Sequence, residues 1–234
     1  MKFLKQLYNR SKIIRYLISI AHFLISLVHN KTITKIRIIS NRSKNKRSLE
    51  IGPGSFVLEG YETLNIRYSP NVTYVLNASG KLPFDDDCFD EIFASHVLEH
   101  IPWYEVDRIL LEWVRIIKPG GKLTIWVPDG FKVAKSWVEY EEGQPLELGM
   151  NKDGWYRLND EKIFEKWVSG RIFSYGDGRG TLGHPNWHLS LYSESYLHKL
   201  FKKSGLTETK TLSNSDRLGN SHGWIEVGVK GTKK

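Results

Sequence analysis

A chain of 234 residues with 40% hydrophobic and 12% aromatic side chains can bury one full core plus an appendage, which excludes disorder over most of its length. Its one cysteine, Cys88, excludes an internal disulfide and suits a reducing compartment. The net charge of +8 is unevenly placed: residues 1–49 hold seven lysines, five arginines and no acid, and removing that +12 leaves −4 for the rest. A mildly acidic main body argues against a nucleic-acid groove spread over its face.

The first element is an amphipathic helix. Ile14, Leu17, Ile18, Ala21, Leu24, Ile25 and Val28 recur at helical spacing, with Lys12, Arg15, Ser19, His22, Ser26 and His29 on the opposite side. The apolar stretch over 16–28 is broken by His22 and is too short to span a bilayer, and no A-x-A-like cleavage site follows it. Three readings of this basic arm, residues 1–47, stay open. The helix packs on the domain's own core, lies in the plane of an anionic membrane surface, or gives RNA or another polyanion a handle. The polar "SNRSKNKR", 40–47, reads as a linker into a main domain over 48–234.

In that domain "SLEIG", "ETLNI", "TYVLNA" and "FDEIFAS" read as short strands. A helix is expected over about 97–118, with Ile109, Leu110, Trp113, Val114 and Ile117 apolar at steps of three and four, stopped by "PGG". "KLTIWVPD" is the next strand. Residues 140–187, rich in Gly, Trp and charge, read as an insertion with one short helix near 160–168. "SESYLHKLFKKSG" reads as a capped helix, and "TETKTLS" with "WIEVGVKG" as a closing antiparallel pair. Strands mixed with a crossover helix imply a mostly parallel α/β sheet with its ligand at the carboxyl ends of the strands.

The turn "LEIGPGSF", 49–56, permits close backbone approach to a ligand and exposes N–H groups to an anion, but it lacks the third glycine of a dinucleotide fingerprint. "LEIGPG", "LPFDDDCFDEIFASHVLEHI" and "RIIKPGGKLTIWVPD" in that order resemble the successive motifs of class I S-adenosylmethionine-dependent methyltransferases, over about 49–129 and more loosely in 187–206. The short passage from 54 to "YETLNI" is similar to the branch found in polysaccharide and lipopolysaccharide gene clusters, where the first helix is abbreviated. The resemblance implies a Rossmann-like fold, S-adenosylmethionine as cofactor, and methyl transfer to oxygen on a sugar or glycan acceptor at the cytoplasmic face of a membrane.

It also implies site residues. Glu50, Gly52 and Gly54, with Pro53 between them, match the loop that cradles the amino-acid end of the cofactor. Asn77 or Ala78 falls near the adenine, and Ser95, His96 and Leu98 match the stretch beneath it. At the end of the second strand, where the family places a ribose-binding acid, "LNIR" puts Arg67, which cannot accept a hydrogen bond; Asn65 is then the substitute. Arg67 in that place also suits a 2′-phosphate, so an NADP reductase stays in view. "HVLEH", 96–100, fits the H-x-x-E-H zinc-peptidase signature, but it is short, follows an apolar strand and has Pro102 close behind. No metal is expected there, and His100 reads as a packed or capping residue. His188, in "GHPNWH", is the expected general base, assisted by Asp129, with His184 or His96 as substitutes. The competing classes are a catalytically inactive binding protein of the same fold, an RNA or small-molecule methyltransferase, and a zinc hydrolase.

Overall fold

The computed structural model describes residues 20–21, 24, 28, 32–54, 57–144, 158–219 and 223–234. Most of the expected arm helix, including His22, Ser26 and His29, and the "PLELGMNKDGWYR" part of the insertion lie outside the described residues. The β-rich runs form β1 (Ser48–Ile51), β2 (Glu62–Asn65), β3 (Tyr74–Val75), β4 (Phe89–Ser95), β5 (Ile117–Pro128), β6 (Leu206–Leu212) and β7 (Glu226–Lys233). They make one sheet of order β3-β2-β1-β4-β5-β7-β6 in which only β7 runs antiparallel to its neighbours. That order, with its closing reversed strand, is the α/β class I methyltransferase arrangement expected from the sequence.

Among the described residues five α-helices flank the sheet: α1 (Thr34–Asn41), α2 (Val106–Arg115), α3 (Gly130–Glu141), α4 (Phe164–Phe173) and α5 (Glu194–Lys203). Helix α2 buries Val106, Ile109, Leu110, Trp113 and Val114, its three- and four-residue stripe, against a core shared with Ile92, Ile125, Leu197 and Phe201. Each fully buried aliphatic side chain there contributes about 1.5–3 kcal/mol relative to exposure. A smaller cluster of Val133, Phe164, Trp167, Val168 and Ile225 joins α3 to α4.

The expected helix over 97–118 is in fact a short 3-10 turn, Leu98–His100, followed by α2. Proline explains the break, because the residue before it is driven to extended backbone. Ile101 accordingly takes φ −88°, ψ 133°. "PGG" does not stop the helix. It lies inside β5, where Gly121 has no room for a Cβ, which would come within 2.9 Å of the Asp90 carbonyl. The insertion's helix starts at Phe164 and runs to Phe173, beyond the expected 160–168. Helix α3 was not anticipated, although Asp129 followed by Val133, Trp137 and Tyr140 carries both a cap and a stripe.

Residues 40–47 are also not a free linker. Arg47 is buried, donates from Nε and Nη2 to the Glu62 carboxylate at 3.0 and 2.9 Å, and stacks 4.3 Å over the Phe89 ring. The Tyr74 hydroxyl donates to the same carboxylate. Arg37 donates to the carbonyls of Val72 and Thr73, and Arg42 pairs with Asp85, so the end of the arm is docked on the β3 edge. Burial by itself raises the Glu62 carboxyl, but the Arg47 and Tyr74 hydrogen bonds outweigh it and hold the group below its ordinary 4.5. A depressed carboxyl stabilises the fold above its unfolded pKa and loses that contribution as pH falls through the folded value. Glu62→Gln is therefore expected to cost about 3–5 kcal/mol at neutral pH, because it strands a buried guanidinium. In urea melts the gap between wild type and variant should close as pH falls below about 4; a gap that is constant with pH would refute the ion-pair account.

Candidate functional site

A cavity of about 440 Å³ opens at the carboxyl ends of β1, β2 and β4, where a parallel sheet of this kind takes its ligand. Its walls come from Gly52, Asn65, Arg67, Asn77 and Ala78 on one side and from His96, Val97, His100 and His184 on the other. Gly52 sits at φ +72° with its N–H bonded to the Leu64 carbonyl at 2.8 Å. A Cβ added there would lie 2.3 Å from Val97 Cγ2, so the first glycine of the turn is required by both backbone and space. Gly54 has open space around it. Glu50 lies beneath the loop instead of on the cavity wall: its carboxylate accepts from the Leu58 N–H at 3.0 Å, and burial pushes its pKa up. It fastens the chain after the turn. Pro53 contributes its carbonyl, which accepts from Asn65 Nδ2 at 3.3 Å.

The strand-end assignment shifts by two residues. β2 ends at Asn65, and Arg67 lies beyond the strand, exposed on the rim 3.5 Å from His184 Nε2. His184 Nδ1 accepts from the Asn186 N–H at 3.2 Å, so both of its ring nitrogens face donors, the other being Arg67. Asn77 Oδ1 already accepts from the Ser79 N–H, and the Ala78 carbonyl accepts from Trp113 Nε1, which leaves these two residues framing the adenine side mainly through backbone. Ser95 Oγ accepts from Arg217, and Leu98 is wholly buried with its carbonyl taken by the Tyr192 hydroxyl; neither lines the cavity.

His96 adopts φ +54°, an uncommon conformation outside glycine. It lies between two carboxylates, Glu99 Oε1 at 3.0 Å from Nδ1 and Glu226 Oε1 against Nε2. Glu226 is in turn 2.6 Å from Arg217, whose guanidinium stacks 4.7 Å from Trp126. Burial works against charging the imidazole, yet the two carboxylates win and push its pKa up to about 9. A histidine that is already protonated at neutral pH cannot act as a general base, which removes His96 from that list. Arg217 and Glu226 carried no sequence signal of their own, since they come from a loop and the start of β7, far from any motif.

Residues 187–190 run back along the "HVLEHIP" segment: Leu189 and Ser190 donate to the Glu99 carbonyl at 2.7 and 3.2 Å, and Trp103 to the Leu189 carbonyl at 3.3 Å. This brings His188 to His100, ring centroids 5.2 Å apart. His188 Nδ1 bonds the Arg171 carbonyl at 3.0 Å and His100 Nδ1 the Trp187 carbonyl at 3.2 Å. A carbonyl only accepts, so each ring carries its proton at Nδ1 and its lone pair at Nε2. Burial, the first cause, lowers the His188 pKa and keeps the ring neutral. Asp129 does not orient it. Its Oδ1 caps α3, accepting from the N–H groups of Phe131 and Lys132, and its Oδ2 lies 3.6 Å from Lys132 Nζ.

Across residues 57–125, from just before β2 into β5, the chain matches the family model described as a methyltransferase domain. It is 30% identical over 76 residues to the sterol 4-C-methyltransferase strm-1 of Caenorhabditis elegans, covering 32% of this chain and 22% of that one. It is 33% identical over 86 residues to the methyltransferase GfsG of Streptomyces halstedii, covering 37% and 27%. The chain thus spans about a quarter of the length of these curated relatives. Among solved structures, the 1,6-didemethyltoxoflavin-N1-methyltransferase of Burkholderia thailandensis superposes at a TM-score of 0.46 with 12% identity, covering 94% of this chain and 86% of that one. That superposition is too loose to add to what the strand order already shows. Strand order and family match agree: the sheet has the class I methyltransferase order, and residues 57–125 match a methyltransferase domain. S-adenosylmethionine, the cofactor the sequence resemblance implies, fits the residues present: Gly52 keeps the turn closed on Val97 with no room for a side chain, and Asn65 stands at the strand end with an amide able to meet ribose hydroxyls.

Gly52→Ala is expected to lower S-adenosylhomocysteine affinity at least tenfold in calorimetry and to cost about 1–2 kcal/mol of stability from the left-handed backbone alone. Adding Val97→Ala should restore part of the affinity by relieving the contact. A double variant no better than the single would show that space is not what makes this glycine necessary.

Proposed function

We propose that the protein is an S-adenosylmethionine-dependent O-methyltransferase acting on a hydroxyl of a sugar or glycan intermediate in cell-surface polysaccharide biosynthesis. The observation that carries the reading is the neutral His188, with its lone pair on Nε2, whose ring centre lies 5.2 Å from that of His100, a residue of the cofactor-cavity wall. S-adenosylmethionine, when bound, supplies an electrophilic methyl group. Asn65 holds the ribose end, Gly52 admits the amino-acid end, and His188 takes the hydroxyl proton. The Arg171 carbonyl, and not Asp129, fixes the tautomer that makes this useful.

The acceptor side is argued from a second hollow of about 520 Å³ lined by Trp187, the residue that follows the His184, Pro185 and Asn186 stretch of the cofactor cavity. Phe173, Tyr175 and Trp187 give it aromatic faces for a sugar ring, and Asn159, Lys166 and Ser169 supply polar groups for its hydroxyls. The arm extends the reading to the inner face of a membrane. Ile20, Leu24 and Val28 stand at successive helical turns and are 38%, 55% and 61% exposed. No helix among the described residues is long and apolar enough to cross a bilayer, so the contact would be peripheral.

S-adenosylhomocysteine should bind the purified chain in calorimetry while NADP gives no heat; the reverse result would make Arg67 a 2′-phosphate ligand and end the methyltransferase reading. With S-adenosylmethionine and a panel of sugar acceptors, His188→Ala should lower turnover about 10²- to 10⁴-fold while leaving S-adenosylhomocysteine affinity within threefold. Turnover that survives the substitution would take His188 out of the mechanism. For the arm, the full chain should sediment with phosphatidylglycerol vesicles more than with neutral ones, and Leu24→Asp should release it. Equal sedimentation of wild type and variant would leave the arm a purely structural element.

A further inference from the structure

The Glu99, His100 and His188 side chains do more than a proton acceptor requires. Each offers one ligand-capable atom, and the three atoms lie within 4.8 Å of one another. Both imidazoles are locked at Nδ1 by backbone carbonyls, which is the outer support that metal-ligating histidines ordinarily have, and both therefore present Nε2 lone pairs. Glu99 is 1% exposed. One of its oxygens, Oε1, is occupied by His96, but Oε2 has no hydrogen-bond partner among the described residues. A buried, ionised oxygen left without a partner is costly, and a cation is the group that would satisfy it.

We propose that Glu99 Oε2, His100 Nε2 and His188 Nε2 bind a divalent transition-metal cation, zinc or manganese in chemical class, at the acceptor end of the cofactor cavity. Two imidazoles and one carboxylate suit such ions better than magnesium or calcium, which prefer oxygen. Ligand atoms on a shared tetrahedral ion lie about 3.3 Å apart, so the cluster tightens by roughly an ångström on loading. The "HVLEH" motif is then half of a metal site, but not through the histidine pair that its spacing suggests. His96 is saturated by two carboxylates, and the second imidazole comes from His188. The inference rests on the O-methyltransferase reading for its role: held by Glu99, His188 and His100, of which His100 lines the cofactor cavity, the ion would supply Lewis-acid polarisation of an acceptor hydroxyl, and His188 would then serve as a ligand in place of a base.

The test uses the full chain, stripped with a chelator and dialysed, and titrated with Zn²⁺ and with Mn²⁺ alone. Calorimetry and elemental analysis should give one ion per chain. His188→Ala and the more conservative His188→Gln should each weaken binding at least a hundredfold, with the far-ultraviolet circular dichroism unchanged. His198→Ala is the control for stray imidazole binding, because His198 bonds Thr209 and Thr211 on the other side of the domain, and it should keep the full stoichiometry. No ion, or one that survives both His188 variants, overturns the site. S-adenosylhomocysteine binding is measured on the same samples. Cofactor binding without the ion sinks the metal site and spares the methyltransferase reading. Binding of the ion without cofactor keeps the site and overturns its role toward an acceptor.

Discussion

The arrangement depends on a buried row of alternating charges: Arg217, Glu226, His96 and Glu99. Four groups that would each be expensive alone are tolerated because each faces an opposite sign, and removing an inner member, Glu226 or His96, would strand Arg217 or Glu99 at a cost of about 3–5 kcal/mol. The row starts in the loop after β6, crosses the beginning of β7 and reaches the end of β4 over the intervening β5. It therefore ties the closing antiparallel strand to the motif that follows β4. His96 reaches both carboxylates from a left-handed backbone, a conformation that the surrounding charges have to sustain.

That single turn serves both sides of the cavity. Because the chain reverses at His96, Val97 comes up beneath Gly52 and sets how closely the cofactor loop packs. One residue further, Leu98 enters the core. Glu99 then offers its carbonyl to the 187–190 segment and its carboxylate to the histidines. A shift of the turn would move Val97 under the Gly52 loop and the Glu99, His100 and His188 cluster together. The Gly52 loop and the His100–His188 cluster are thus coupled through five consecutive residues, their separation set by covalent spacing and not by packing of separate elements.

The sheet was legible because its strands are short β-rich runs, β1, β2 and β5 closed by Gly52, Asn65 and Pro128, and because α2 and α5 carry clear helical stripes. Helix α3 hid behind the strand "KLTIWVPD", whose last acid looked like a site residue although its physical use is to cap. Gly52 was found through its motif, and Asn65 as a substitute. Arg67 was placed two residues too early, because β2 is four residues long and its end cannot be located from composition. The tautomers of His100 and His188 come from the carbonyls of Trp187 and Arg171, and the charge on His96 from Glu226. These are contacts between segments 87, 17 and 130 residues apart, and no local pattern encodes them. Arg47 shows the same limit in reverse, since a residue in a lysine-rich polar stretch reads as solvated until its partner Glu62 is seen.

The short path between β1 and β2 explains why the C-terminal loop belongs to the site. Among the described residues no helix joins these two strands, so the face of the sheet bearing Phe93 and Trp126 is covered by Leu58, Tyr61 and Leu212. Arg217 completes that cover by lying across the Trp126 ring while its guanidinium enters the charge row with Glu226. A hydrophobic cover and an electrostatic anchor are therefore one residue. The chain economises on its first crossover helix and makes the conformation of His96, and through it the cavity floor and the Glu99 carboxylate, depend on a loop about 120 residues away in sequence.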